Sequence, residues 1–207
     1  MRLPYSSKKD IQMNIIKFCL YIILFLGISC ARTDSSELEE FFVENVDDWH
    51  IEGDAYWKIV NNELVARINS GAGFIMTKDV FSDFEMSVDF YPDSTINSGI
   101  FIRCKNIALS TSDCYEINIW DLRPNQEYRT GAIVERSNPL NQVETLNKWN
   151  TYKIKILNNH LQTWINNVIT TDFYNNDLDA GHIALQASGT GKIRFRNIKI
   201  TPLKNSP

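Results

Sequence analysis

Asp83-Phe84-Glu85-Met86-Ser87-Val88-Asp89-Phe90 alternates polar and apolar residues without a break. A period of two sends Phe84, Met86, Val88 and Phe90 to one side of an extended chain and the polar residues to the other. A helix would need its apolar residues every three to four positions, so this stretch reads as a half-buried strand. Lys153-Ile154-Lys155-Ile156 and Ile193-Arg194-Phe195-Arg196 carry the same alternation. Further strands are expected near 55–60, 63–68, 99–104, 114–121, 131–135, 160–166 and 181–187. Asn61-Asn62 and Asn166-Asn167 interrupt pairs of them, and asparagine tolerates the positive φ that two-residue hairpins require. About ten short strands separated by polar turns, with no amphipathic helix among them, predict an all-β domain. Its architecture should be a two-sheet antiparallel β-sandwich or jelly roll.

Composition agrees with one such domain. The chain has 207 residues, 43% of them hydrophobic and 12% aromatic, enough to bury a core and too apolar for a disordered chain. A net charge of −4 and a pI near 5.4 argue against a nucleic-acid partner. Four cysteines and three histidines, with no Cys-x-x-Cys pair, give little material for a zinc site.

The N-terminus reads as an address. Lys8, Lys9 and Lys17 precede an apolar run from Phe18 to Ile28 that is too short for a bilayer-spanning helix. The run ends in Leu26-Gly27-Ile28-Ser29-Cys30, a small residue directly before a cysteine. That predicts a lipoprotein signal peptide over 1–29 and lipidation of Cys30, although Gly27 stands where such sites usually carry leucine; an uncleaved signal anchor is the alternative. Cleavage moves the net charge from −4 to −7. Residues 30–44, with Asp34, Glu37, Glu39 and Glu40, become an acidic tether, and 45–203 the β-sandwich. The expected location is the bacterial cell envelope, on the periplasmic or surface side of the outer membrane.

Strand parity nominates a face. In 114–121, Tyr115, Ile117 and Ile119 point to the core, and Glu116, Asn118 and Trp120 point away. In 99–104, Ile100 and Ile102 point in, which leaves Phe101 and Arg103 outside. In 181–187, Ile183 and Leu185 point in, with Ala184 and Gln186 outside. If these strands share a sheet, Arg103, Glu116, Asn118, Trp120 and Gln186 share its outer face. Such a set suits a sugar: polar groups orient hydroxyls and an indole stacks on a pyranose ring. The plainer reading is a solvated face with an Arg103–Glu116 ion pair across strands.

Seven strings taken together resemble the DUF1080 family, also called the 3-keto-disaccharide hydrolase or 3-keto-glucoside lyase/hydratase domain. They are Asp83-Phe84-Glu85, Asn97-Ser98-Gly99-Ile100-Phe101-Ile102-Arg103, Tyr115-Glu116-Ile117-Asn118-Ile119-Trp120-Asp121, Thr130-Gly131-Ala132-Ile133, Trp149-Asn150-Thr151-Tyr152, Gly181-His182-Ile183-Ala184-Leu185-Gln186 and Phe195-Arg196-Asn197-Ile198. They occur in family order across about residues 45–203. The resemblance implies a concanavalin A-like sandwich and a bacterial envelope protein acting on oxidised sugars. Two departures bear on activity: the family's glutamine is Asn118 here, and its histidine after Leu-Gln is Ser188.

The chemistry so implied begins with a ketone at sugar C3, which acidifies the proton on C2. Glu116 is the expected base and Asp121 a second carboxylate, with Arg103 stabilising the enolate or holding Glu116. Asn97, Asn118, Trp120, Gln186 and Ser188 would line the substrate, an oligosaccharide or 3-keto-glycoside. A divalent cation is an alternative electrophile, with Glu116 and Asp121 among its ligands, although no spacing specifies a metal. Two rivals stand beside the enzyme. One is a non-catalytic carbohydrate-binding module using Trp120, Trp57 and Tyr128; the other is a structural or partner-binding envelope lipoprotein. Cys104 and Cys114 flank one loop and form a candidate disulfide in an exported protein, against a parity that sends Cys104 to the core side and Cys114 to the Glu116 side.

Overall fold

The computed structural model describes residues 49–203. The expected signal peptide, Cys30 and the tether lie outside them. Twelve strands are described: β1 (His50–Gly53), β2 (Tyr56–Val60), β3 (Glu63–Ile68), β4 (Ala72–Met76), β5 (Phe84–Pro92), β6 (Ile96–Cys104), β7 (Tyr115–Ile119), β8 (Asn150–Leu157), β9 (His160–Ile165), β10 (Val168–Tyr174), β11 (His182–Gly189) and β12 (Gly191–Pro202). They form a five-stranded sheet in the order β1-β4-β11-β6-β7 and a seven-stranded sheet in the order β10-β9-β8-β5-β12-β3-β2. All strand pairs are antiparallel, as in a two-sheet sandwich.

The alternation in β5 does what its period predicts. Phe84, Met86, Val88 and Phe90 are buried in the core, together with Ile100, Ile102, Ile117, Ile183, Leu185 and Phe195. Trp57 joins this core and offers no exposed ring for stacking. The asparagine pairs make the expected tight turns, with φ of 52° and 61° at Asn61 and Asn62 and 51° and 66° at Asn166 and Asn167. The strand expected over 131–135 is instead a turning segment, joined to the five-stranded sheet by an isolated bridge from Ile133 to Ile117. Its Gly131 and Glu135 take positive φ, which ends extended pairing.

One irregularity changes which side chains meet. The β6–β11 register runs from Ala184 opposite Phe101 to His182 opposite Cys104, so β6 carries one extra residue. Arg103 takes a φ of 52° there, a β-bulge in the left-handed region at a cost of about 1–3 kcal/mol for a residue with a Cβ. The backbone of the bulge sits so close to Gly181 that a Cβ there would lie 2.3 Å from the Arg103 carbonyl carbon. Glycine is the residue that fits such an approach.

The bulge turns Arg103 away from Glu116. Its guanidinium is 2% exposed. It donates to the carbonyls of Ser82 (3.0 Å), Asn158 (2.8 Å) and Leu178 (2.8 Å) and to Asp83 Oδ1 (2.9 Å). Asp83 also accepts from the Asn158 backbone N–H at 2.8 Å. The Arg103–Asp83 pair thus ties β6 of one sheet to the β8–β9 turn of the other. The same extra residue moves Cys104 to the outer face, where it is disulfide-bonded to Cys114. Both cysteines pack with Met76, Phe101 and Ala184 in a second apolar cluster on that face.

Arg103→Met should destabilise the domain by about 3–5 kcal/mol in chemical denaturation, because it strands the buried Asp83 carboxylate. Adding Asp83→Asn should recover part of that loss. Alkylation without reductant should leave Cys104 and Cys114 unlabelled by mass. Reduction should cost about 2–3 kcal/mol, as expected for a bridge across ten positions.

Candidate saccharide site

The outer face of the five-stranded sheet is built by register. Phe74, Gln186, Gly99 and Asn118 are successive partners across β4, β11, β6 and β7. Met76, Ala184, Phe101 and Glu116 form the next row toward the disulfide. Ala72, Ser188 and Asn97 form the row on the other side. Adjacent strands lie about 4.8 Å apart. Gln186 and Asn118 therefore stand two strands apart with a gap in the side-chain row between them, at Gly99. A Cβ on Gly99 would lie 3.3 Å from the Phe101 ring and 3.5 Å from Glu116 Cγ, so these two side chains wall the gap closely.

Glu116 stands at the edge of this gap, 9% exposed. Among the described residues no hydrogen bond or ion pair reaches its carboxyl group. Burial pushes its pKa up to about 7, with Arg123 pulling it down and Glu135 pushing it further up. A carboxyl poised near neutrality is what proton transfer at physiological pH requires.

The amides around it hold unsatisfied acceptors. Asn118 is fully buried and its Nδ2 donates to the Tyr128 carbonyl, which fixes the amide's orientation. Its Oδ1 is left without a partner, as are Asn97 Oδ1 and Gln186 Oε1. Three unpaired amide oxygens on neighbouring positions of one sheet face are costly unless a ligand's hydroxyls complete them. Ser188 is otherwise engaged, its hydroxyl donating to the Gly71 carbonyl at 3.2 Å.

The loop following β7 completes the surface. Arg123 lies 5.4 Å from the centre of the Trp120 ring and 6.0 Å from that of Tyr128. The cation near Glu116 is thus Arg123, which strand parity does not reach because it follows the strand. The only sequence clue is its place two residues past Asp121. Gly99 was equally available, since a glycine inside a strand pattern marks a close approach.

Asp121 takes a different place from the one expected. Its oxygens accept from the Thr145 N–H (2.6 Å) and hydroxyl (2.9 Å), and Arg129 lies 4.0 Å away. Its side chain is fully buried, so it clamps the two ends of the loop carrying Arg123 and Tyr128 and does not face a substrate. Arg129 adds a second tie, donating to Glu144 at 2.9 Å. Among the described residues no three His, Cys, Asp or Glu side chains converge as metal ligands. With both Asp121 oxygens committed to Thr145, a cation shared by Glu116 and Asp121 does not suit these donors. The histidines are engaged elsewhere: His182 with the Thr77 carbonyl, His160 with Asp172 and His50 with Glu52.

The fold recurs in solved structures of sugar-related proteins. A candidate glycosyl hydrolase from Parabacteroides distasonis ATCC 8503 superposes with a TM-score of 0.67 at 23% identity, covering 80% of this chain and 98% of its own. A second from the same organism gives 0.66 at 17%, covering 76% and 90%. The carbohydrate-binding module CBM66 from Bacillus subtilis gives 0.60 at 15%, covering 74% and 95%. At these identities the likeness is one of fold. No curated protein matches the chain by sequence. The sequence profile of the 3-keto-alpha-glucoside-1,2-lyase-like domain, however, matches residues 39–201. The chain therefore belongs to the 3-keto-alpha-glucoside-1,2-lyase-like family, a family of carbohydrate-acting domains.

Proposed function

We propose that the domain cleaves 3-keto-glycosides by β-elimination followed by hydration, with Glu116 as the base. The observation that carries this reading is a buried, unpartnered carboxyl of near-neutral pKa beside the gap at Gly99 and its unpaired amides. Ionised Glu116 takes the proton from C2 of the oxidised sugar, and the electron pair enters the C3 carbonyl as an enolate. The enolate re-forms the ketone as the C1–O bond breaks, and the leaving oxygen receives a proton from protonated Glu116 or water. Water then adds across the C1–C2 double bond, its oxygen to C1 and a proton to C2, which completes a net hydrolysis. Arg123 supplies positive charge for the enolate. Asn97, Asn118 and Gln186 accept from the sugar hydroxyls, and Trp120 borders the ring.

One feature favours a second reading, a non-catalytic saccharide-binding module. Ser188 stands where the family resemblance calls for histidine, so the face lacks that proton donor.

Turnover of a 3-keto-glucoside separates the two. Glu116→Gln should lower it by about 10²–10⁴-fold with the fold retained. The wild-type kcat/KM should rise through about pH 7 as Glu116 ionises. Stability carries an independent sign. The folded pKa is raised, so the folded state binds the proton more tightly than the unfolded chain. This contribution is fully present below the unfolded value near 4.3 and lost as pH rises through about 7. Glu116→Gln should therefore leave the melting temperature unchanged at pH 4 and raise it at pH 8, by up to about 3 kcal/mol of stability. A structural ion-pair partner would do the reverse. Glycan binding by the wild type without turnover would establish the module instead.

Export as a lipoprotein belongs to the same proposal. The basic head, the short apolar run and Ser29-Cys30 support it, and a disulfide suits an oxidising compartment. Cys30→Ala should release the protein from membranes or block its processing. A variant still in the membrane fraction at mature size would rule out the anchor.

A further inference from the structure

Between β7 and β8 the chain makes a tight turn against the edge of β7. The Val134 N–H donates to the Glu116 carbonyl at 3.0 Å, and the Arg136 and Ser137 N–H groups both return to the Ile133 carbonyl at 2.9 Å. Glu135 stands in this turn with a φ of 62°, in the left-handed region that residues with a Cβ rarely adopt. Seven of the nine such non-glycine positions among the described residues are asparagine; the exceptions are Arg103 and Glu135. Asparagine is the cheaper residue there. The buried pairing with Asp83 accounts for Arg103. No such bond accounts for Glu135, so its carboxylate needs another explanation.

That carboxylate is held in place without being neutralised. Glu135 is exposed, and its Oε2 accepts from the Thr111 hydroxyl at 2.6 Å. The partner is neutral, so it fixes the group and leaves its charge. The adjacent Arg136 could cancel that charge but is committed elsewhere. Its Nη1 donates to Asp177 and its Nη2 to the Thr111 carbonyl at 2.9 Å, and its guanidinium lies 5.0 Å from the centre of the Tyr115 ring. Among the described residues no ion pair reaches Glu135. Its charge therefore acts on Glu116, where burial and Glu135 oppose ionisation and Arg123 favours it. From β6 and β11 the same row presents Phe101 and Ala184, with Gly99 beside it, and none of these titrates.

Elimination needs a proton taken from C2 and a proton given to the leaving oxygen as the C1–O bond breaks. The other acid–base candidates are engaged: Asp121 with Thr145, and the histidines with Thr77, Asp172 and Glu52. Both transfers then fall to Glu116. An ordinary carboxyl beside an arginine would hold the proton too weakly to return it near neutral pH, and a like charge nearby offsets that arginine. Resting on the reading of Glu116 as the base, we infer that Glu135 is a positioning residue of the same site: its unneutralised carboxylate, fixed at the edge of β7, lets Glu116 both take the C2 proton and return it to the leaving oxygen.

Carbon-13 NMR titration of the glutamate carboxyls in the full chain tests the inference, the Glu116 signal being the one missing from Glu116→Gln. Removing the neighbouring negative charge favours ionisation, so in Glu135→Gln the Glu116 signal should titrate below the wild-type value of about 7. The rising limb of kcat/KM for a 3-keto-glucoside should move down with it. Glu135→Asp keeps the charge and should stay nearer the wild type in both readouts. High salt should shrink the difference between wild type and Glu135→Gln, because Glu135 is exposed. A Glu116 titration that stays in place or moves up in Glu135→Gln would overturn the proposal. So would equal shifts in Glu135→Gln and Glu135→Asp, which would make Glu135 a structural part of the turn. The NMR readout needs no turnover, so the two readings fail separately. A shifted Glu116 in a protein that never turns over would sink the elimination and leave the coupling standing; turnover with an unshifted Glu116 would keep the base and remove Glu135.

Discussion

The extra residue in β6 is the constraint on which the candidate site depends. With Arg103 in the left-handed region, the strand reverses the side on which its last two residues lie. Arg103 goes to Asp83 and three carbonyls between the sheets, and Cys104 goes to the face it shares with Glu116. Strain of about 1–3 kcal/mol is set against four hydrogen bonds, one of them a buried ion pair. Had β6 continued in regular pleat, a guanidinium would have emerged beside Glu116 and held its carboxyl ionised far below neutrality. The bulge leaves Glu116 with no ion pair and only the more distant Arg123, whose pull does not cancel the effect of burial.

This explains why the site is expensive for the fold. Nearly every other buried charge in the domain is answered: Arg103 by Asp83, Asp121 by Thr145 and Arg129, and Arg129 by Glu144. Other buried polar atoms among the described residues also lack partners, Trp57 Nε1, Thr130 Oγ1 and the Nε of Arg129 and Arg136 among them, but Glu116 and the amide oxygens of Asn97, Asn118 and Gln186 share one face. Unsatisfied groups scattered over a molecule are incidental. Unsatisfied groups gathered around a glycine gap are the form a binding site takes before its ligand arrives, because the ligand supplies the missing partners.

Much of this was legible in the sequence because a period of two needs no long-range information. The facings of β5, β7, β8 and β11, the two asparagine hairpins and the two-sheet architecture follow from alternation and turn chemistry alone. Glu116, Asn118 and Gln186 share a face because parity within regular strands carries that information. Arg103 and Cys104 were misplaced for one reason: nothing in Ile102-Arg103-Cys104 announces a bulge, since the residue in the left-handed region is an arginine and not the glycine or asparagine that usually marks one. Asp121 and Arg123 lie past the strand end, where parity stops and loop contacts with Thr145, Trp120 and Tyr128 decide. β1 and β4 are short and β10 is broken by a register shift between Ile169 and Thr171, so none of them carries a long alternating run and all are held by their neighbours.

The two sheets also fix their registers by different means, and the difference bears on the site. In the seven-stranded sheet β2–β3, β8–β9 and β9–β10 are joined by two-residue asparagine turns, which set the pairing locally. In the five-stranded sheet only β6 and β7 are neighbours in sequence, and the connection between them spans 105–114. A loop of that length does not dictate register, yet a slip of one residue in β7 would exchange Glu116 for Ile117 on the outer face. The bulge and the disulfide remove that freedom. Arg103 anchors the end of β6 to the opposite sheet, and the Cys104–Cys114 bond anchors the start of β7 to β6 one residue from Tyr115. The position of the one unpartnered carboxyl on the sheet is therefore set at the Cys104 end of the hairpin, by an ion pair and a disulfide that do not themselves border the gap.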